Sequence, residues 1–464
     1  MIKQENIDRI ISDVSIRDVA IDEGITFSKE RGGKLWACCP FHKENTPSFF
    51  VDTGTNTWKC YGGCHSGGNV ISLYRKLKND LPFPIACKEL AKKYLNEDIE
   101  DDYKPSKEDE EKQKEKESLQ IILSYAQEFY VQCIHEVNPA ANKARETVRK
   151  RWGADAIERF GIGYAPRDGF IEWAMRKGLD FDLLEQVGLI GIGERGKYAM
   201  LRDRYTIPIY DKMSNVIGFT ARTMSDDKDI CKYLNLKNSL VYAKDKSVFG
   251  INFAQKEARL KNKFYLVEGA PDVVKLQSLE ILNTVASLGG AWTENQLKQL
   301  YHISHTVTFI PDADTLKPGN EWPAGTANVF ANGREALAAG FTVNVREIPI
   351  DYPAPKKEDP DSWIVDKAHF QQMKEEEFIY WFCRRRYWPT ADDIEQMTTE
   401  DRLKAIADIC SLLMMIRDED LRTSYLTGLC TMYKHSREWK DTLKRAKESE
   451  LSAKQEKERK GDIK

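Results

Sequence analysis

"CCPFHKENTPSFFV", residues 38–51, puts soft metal ligands, turn-formers and an aromatic pair into fourteen consecutive positions. Cys39 and His42 have two residues between them, and Cys60 and Cys64 follow after a further seventeen. Three thiolates and one imidazole suit tetrahedral zinc, with two ligand-bearing turns closing one site. Pro40 and the Gly62-Gly63 pair supply those turns, because glycine accepts positive φ at little cost. Spacing alone leaves Cys38 and Cys39 interchangeable and keeps His65 open as a ligand. Unconnected core thiols are the competing reading, and such ligand pairs seldom meet within one short segment. A closed four-ligand site is structural, so this one holds a surface rather than doing chemistry. Trp36, Phe49, Phe50 and Trp58 lie around it. Rings in such a place either form the small core or stack unpaired bases, and at least half of these four are expected in the core.

The whole chain sets the frame. Its 464 residues imply two to four domains. A hydrophobic share of 41% beside a charged share of 31% describes a globular protein, and no apolar run is long enough to span a bilayer. The start, "MIKQENIDRI", lacks a secretory apolar core, so a cytoplasmic location is expected. Ten cysteines in such a chain do not make a disulfide framework. The six outside the cluster read as packed free thiols. The net charge of −3 conceals strong local differences. Residues 195–263 carry fifteen Lys/Arg against seven Asp/Glu, while residues 97–118 carry eleven acids against five bases.

These shifts divide the chain into a multidomain α/β protein. Residues 1–96 form the cysteine module. Residues 97–118 are a charged linker with too few apolar groups to fold alone. Residues 119–262 are a basic, mixed α+β unit. Residues 263–366 alternate strand and helix, which implies a parallel sheet. Residues 367–445 read as helical, and residues 446–464 as a disordered charged tail.

The alternating unit carries the second constellation. "FYLV" runs into Glu268-Gly269, and Pro271 suits the first turn of a helix. "TVTFIPDAD" ends in Asp312 and Asp314, and "FTVNVREIPI" precedes Asp359 and Asp361. Three strands therefore end in carboxylates. In a parallel sheet such ends share one edge, where ligands bind. Converging carboxylates repel unless cations neutralise them, and magnesium takes oxygen ligands while keeping waters that phosphates can replace. The alternative is a set of solvated loop acids.

"ACCPFHKENTPSFFV" followed by "WKCYGGCHSGGNVISLYRKL" resembles the zinc-binding module of bacterial and phage DNA primases. The resemblance implies Cys39, His42, Cys60 and Cys64 as the zinc ligands. It departs in the second pair, which the family usually spaces as Cys-x-x-Cys. The acids resemble a toprim catalytic domain, which implies Glu268, Asp312 and Asp314 as catalytic residues. The same resemblance implies that Asp272, Asp359 and Asp361 join them in holding magnesium or manganese. "SLGG" around Gly289 matches the family's glycine turn, and "TLKPGNEWP" is an insertion before Ala324-Gly325. The basic unit resembles the primase N-terminal core subdomain, with Arg202, Arg204, Arg222, Lys232, Tyr233, Asn235, Lys244 and Arg151 at its template- and nucleotide-binding positions. The implied activity is synthesis of short RNA primers from ribonucleoside triphosphates on single-stranded DNA, in a bacterial cytoplasm, from a chromosomal, phage or mobile-element gene. A replicative helicase is the implied partner of the helical region after residue 367. A toprim nuclease or topoisomerase, or a non-catalytic replication accessory, are the alternatives.

One motif is a decoy. Residues 191–197, "GIGERGK", fit Gly-x4-Gly-Lys, but Tyr198 stands where a phosphate loop needs Ser or Thr. The stretch reads as a glycine-rich turn.

Overall fold

The computed structural model describes residues 2–461 apart from 32, 43, 45, 63–65, 79, 80, 100–106, 195 and 228. The chain forms two compact units, residues 1–114 and 115–464.

The first unit is built on a five-stranded antiparallel sheet in sequential order, Lys29–Arg31, Lys34–Ala37, Phe49–Asp52, Thr57–Cys60 and Gly67–Asn69. Side chains alternate between its two faces. Leu35, Ala37, Phe49, Val51, Trp58 and Cys60 point inward, onto a core shared with Ile10, Val19, Leu73 and Leu90 from the helices. Trp36, Phe50 and Lys59 lie opposite one another across successive strands, so they occupy the other face. Asn69 accepts from the Ser72 amide and caps helix Val70–Leu77.

In the second unit, the basic segment folds as a four-stranded antiparallel sheet in the order Tyr233–Asn235, Val216–Thr223, Arg204–Tyr210, Gly163–Ala165. The "GIGERGK" stretch belongs to a hairpin of Ile190–Gly193 with Gly196–Ala199, as its turn reading requires. The acidic segment folds as a second sheet. Its order is Thr284–Ala286, Phe264–Val267, Thr306–Phe309, Thr342–Arg346, Glu375–Glu377, with the first four strands parallel. The strand before Glu268 thus sits beside the strand before Asp312, while the chain's next strand lies on the far side. This is the point where strand order reverses and where an open α/β sheet leaves a crevice.

Three stretches differ from the sequence expectation. The charged linker is helical from residue 107, because helix Lys107–His135 carries its polar start into an apolar end bearing Leu119, Leu123 and Tyr130. The tail likewise continues the last helix, Ser436–Gly461. The region after 367 is not helical throughout. Glu375–Glu377 adds an antiparallel edge strand to the acidic sheet, tied by Lys263 and Arg346 to Glu375. An acidic edge discourages further strand pairing. The helices that follow bury Phe378, Trp381, Phe382, Ile409 and Leu413 with that sheet's strands in one apolar core.

Candidate functional site

In the first unit, Cys39, His42 and Cys60 bring one ligand atom each to within 4.8 Å of one another. Cys64 and His65 lie outside the described residues. Cys39 lies two positions beyond strand Lys34–Ala37 and Cys60 ends strand Thr57–Cys60, so sheet register sets their approach. The Ser48 hydroxyl and the Gly62 amide each lie 3.3 Å from the Cys60 sulfur. Glu44 organises the turn between the ligands. Its Oε1 accepts from the Cys39 amide at 2.6 Å and the Ser48 amide at 3.2 Å, and its Oε2 accepts from the Ser48 hydroxyl at 2.6 Å and meets His42 Nε2 at 2.9 Å. Burial opposes the charged form, yet these hydrogen bonds hold the Glu44 carboxyl down at about 2. A carboxylate on the second ring nitrogen is the usual way a metal-binding imidazole is oriented. Two thiols and an imidazole so placed fit zinc.

The outer face of the same sheet carries a ring ladder. Trp36 and Phe50 have centroids 4.9 Å apart, and Phe50 and Tyr61 5.7 Å apart. Lys29, Lys34 and Lys59 lie over Trp36, Phe50 and Tyr61 at 5.5, 4.7 and 4.9 Å. Of the four rings singled out in the sequence, Phe49 and Trp58 are in the core, Trp36 is half-buried on the other face, and Phe50 on that face is covered to 5% exposure by its neighbours. Tyr61 and the lysines were missed, because their place on this face follows from strand register.

In the second unit, the crevice between the two acidic strands opens into a cleft of about 380 Å³. Glu268, Asp272, Asp312, Asp359, Arg151, Lys232, Tyr233, Asn235 and the Gly289-Gly290 turn line it. Glu268 receives the Asp312 amide and, at 3.3 Å, Asn328 Nδ2. Asp314 accepts from the Gly325 amide at 2.9 Å, at the start of helix Ala324–Ala339. Gly325 is required there: a Cβ would come within 2.3 Å of the Asp312 carbonyl oxygen. The insertion, residues 315–323, is irregular, and its Trp322 packs on Phe330 at 5.3 Å. Lys357 Nζ bridges Asp312 Oδ2 at 2.8 Å and Asp314 Oδ1 at 2.7 Å.

The six acids fall into two groups. Burial, followed by mutual repulsion, raises Asp312 to about 7 against the pull of Lys357, and burial raises Glu268 in the same direction. Asp312 Oδ1 is buried with no hydrogen-bond partner among the described residues. Hard oxygen donors with one left unpaired fit a divalent cation. Asp359 lines the same cleft, with Oδ1 capping Ser362. Asp272 and Asp361 carry hydrogen bonds within the protein. Asp272 accepts the Gly269 and Asp361 amides, both at 3.1 Å. Asp361 accepts from Arg151 Nε and Trp152 Nε1, both at 2.6 Å. These two carboxylates tie the loops of the cleft together, and the sequence expectation gives them a place at the metal as well.

The basic residues divide by strand alternation. Tyr205, Arg222 and Tyr233 are register partners on one face, and Arg151 Nη1 reaches both phenols, at 2.9 and 3.2 Å. Burial, then the Arg222 and Arg151 charges, lower Lys232. Lys244 lies across Gly289, with Nζ 3.3 Å from where a Cβ would be. Arg202 is exposed beside Tyr198. Arg204, one position from Tyr205, points the other way. It is only 7% exposed and donates to the carbonyls of Ala221, Lys232 and Cys231, so it holds the sheet and is not turned to the cleft. Tyr205, Asn328 and Lys357 were missed because none belongs to a recognisable motif. Among the described residues no helix is long and apolar enough to cross a membrane.

Comparisons with known proteins follow this division. The family model described as the CHC2 zinc finger matches residues 2–107, and that of the N-terminal domain of the DNA primase catalytic core matches residues 130–255. A DNA primase of Pseudomonas putida is 33% identical over 377 residues, covering 78% of this chain and 53% of the relative. One of Clostridium acetobutylicum is 29% identical, covering 83% and 61%. The chain therefore spans about half the length of the curated relatives it matches. The zinc-binding and RNA polymerase domains of the Aquifex aeolicus primase superpose with a TM-score of 0.54 at 26% identity, over 92% of this chain and 97% of that one. A DnaG primase catalytic domain bound to single-stranded DNA gives 0.56 at 25% identity, over 69% and 96%.

Proposed function

Because the chain belongs to the bacterial DnaG-type DNA primase family, we propose that it synthesises short RNA primers on single-stranded DNA, with nucleotides joined in the cleft at Glu268 and Asp312. The observation that carries this reading is the convergence of two acidic strand ends on one crevice walled by Arg151, Lys232 and Tyr233. Glu268, Asp312 and Asp314 would hold magnesium or manganese, with Asp359 beside them. A divalent cation held by these residues would supply the positive charge that favours a 3′-hydroxyl as nucleophile and pyrophosphate as leaving group. The chain's own contribution is positioning. Asp312 and Asp314 stand fixed by a strand end and a helix start. Gly290 leaves its backbone open to a phosphate, and Lys244 lies across the neighbouring Gly289. Arg151 is held by Asp361, so its charge stays aimed at the cleft. Arg222, Lys232, Lys244 and Arg202 supply phosphate contacts that position a template without reading it.

The zinc module would hold single-stranded DNA by stacking bases on Trp36 and Tyr61, which the buried Phe50 supports from between, with a lysine beside each ring. A replicative helicase remains the proposed partner of the region after residue 367. Labelled ribonucleotides, single-stranded DNA and magnesium test the reading. Short RNA products support it. Cut or relaxed DNA would favour a toprim nuclease or topoisomerase, and binding without products a non-catalytic accessory.

A further inference from the structure

Lys357 reaches the acid pair through a backbone arrangement, not through a chance rotamer. Ala313 and Glu358 form an isolated antiparallel bridge, with amide-to-carbonyl distances of 2.8 and 3.0 Å. Neighbours of a bridged pair point to the side opposite it. Asp312 and Asp314 therefore share that side with Lys357 and Asp359, and the lysine is delivered between the two carboxylates.

Its contact is short but open. The Asp312 and Asp314 side chains are only 10% and 13% exposed, whereas that of Lys357 is 55% exposed. The ammonium covers the acids from the solvent side. An ammonium bridging Asp312 Oδ2 and Asp314 Oδ1 lies where a divalent cation shared by those oxygens would have to lie, and two cations do not share one position. A flexible four-carbon stem lets the lysine leave without moving the backbone. The cleft it lines carries Arg151 and Lys232 beside Glu268, Asp272, Asp312 and Asp359, so a phosphate there needs the charge of a bound divalent cation together with these side-chain cations.

We propose that Lys357 is an exchangeable internal cation of this site. It neutralises Asp312 and Asp314 while no metal is bound, yields them to the divalent cation, and then contacts the phosphates of an incoming nucleoside triphosphate. This inference rests on the reading that these acids bind a divalent cation.

Manganese binding to the full chain, followed by the electron paramagnetic resonance of free manganese at low salt and without nucleotide, tests it. Lys357→Met removes the competitor and should bind manganese about tenfold more tightly. Lys357→Arg keeps a cation and should stay near the wild type. With manganese saturating, Lys357→Met should bind a non-hydrolysable ribonucleoside triphosphate several-fold more weakly. Equal manganese affinity in wild type and Lys357→Met overturns the exchange. Tighter manganese with unchanged triphosphate affinity overturns the phosphate contact. Asp312→Asn separates the two layers: if wild type, Lys357→Met and Asp312→Asn all fail to bind manganese, the metal reading falls first and the exchange with it.

Discussion

The zinc module and the acidic cleft both gather ligands, and they do so by opposite means. Cys39, His42 and Cys60 come from one short hairpin region, close on one another within 4.8 Å, and sit in a lattice of hydrogen bonds from Glu44 and Ser48. Glu268, Asp312 and Asp314 come from strands far apart in sequence and meet only because a parallel sheet lines up their ends. The first set is soft and structural. The second is hard, open to a cleft and mutually repulsive. Removing a ligand should therefore unfold the one and relax the other.

The largest effect belongs to the zinc side. Structural zinc contributes about 10–16 kcal/mol in small modules, as much as a whole domain's stability. Chelation, or Cys60→Ser, should abolish the melting transition of residues 1–114 in calorimetry of the full chain and leave that of residues 115–464 unchanged. A metal-free chain that keeps both transitions would erase the contrast.

Asp312→Asn is the converse. Burial and Glu268 raise this carboxyl in the folded chain, so at neutral pH its charge costs stability that a neutral amide does not. The variant should melt about 2 °C higher in chelator, as about 1 kcal/mol implies for a unit of this size. Primer synthesis should fall about a thousandfold, because an amide is a poor ligand for a hard cation and the metal supplies several kcal/mol. Single-stranded DNA affinity should hold within about twofold, since the basic residues are untouched. A lower melting temperature would mean that the acids are not in conflict.

How far each region was legible follows from the same contrast. The zinc ligands declare themselves by local spacing, because a metal fixes residue types at short intervals. The acids declare themselves by ending apolar runs. What surrounds them is set by register and crossover. Arg204 and Tyr205 are adjacent in sequence, yet Tyr205 pairs with Arg151 and Arg222 while Arg204 holds carbonyls on the sheet's other side, and nothing in "LRDRYTI" says which. Lys357 reads as one more loop lysine until the Ala313–Glu358 bridge turns it inward. Asp361 reads as a ligand, and nothing in the sequence says that Arg151, 210 positions earlier in the chain, pairs with it. The helix over 107–118 escaped for another reason: its polar start is carried by an apolar end lying beyond the charged run.

The two faces of the zinc module's sheet sharpen the contrast at a smaller scale. Phe49 is fully buried on the inner face, and Phe49→Ala should cost about 3–5 kcal/mol of stability. Trp36 lies on the outer ladder. Trp36→Ala should leave the fold intact and weaken single-stranded DNA binding by about 1–3 kcal/mol, the usual worth of one stacked base. Fluorescence anisotropy at fixed salt measures this. If Trp36→Ala lowers the melting temperature as Phe49→Ala does while DNA affinity is unchanged, the ladder is core and not an interface.

The smallest effect tests whether the lysines on that ladder meet phosphate. Lys34 lies over Phe50 on the outer face at 4.7 Å. Lys76 also lies over rings, Phe41 at 4.9 Å and Trp58 at 5.6 Å, but on the core side, where its ammonium donates to Ser66 Oγ at 2.6 Å. Both lysines have a ring contact worth about 0.5–1 kcal/mol, so loss of that contact alone does not separate them. Counterion release does. Each phosphate neutralised on a single strand contributes about −0.7 to the slope of log affinity against log salt. Lys34→Gln should flatten the slope by about that amount, and Lys76→Gln should leave it unchanged while lowering the stability of residues 1–114. Equal slopes for both variants would mean that the outer lysines serve the rings and not a nucleic acid, and the DNA-binding role would then pass from this face to the basic sheet of the second unit.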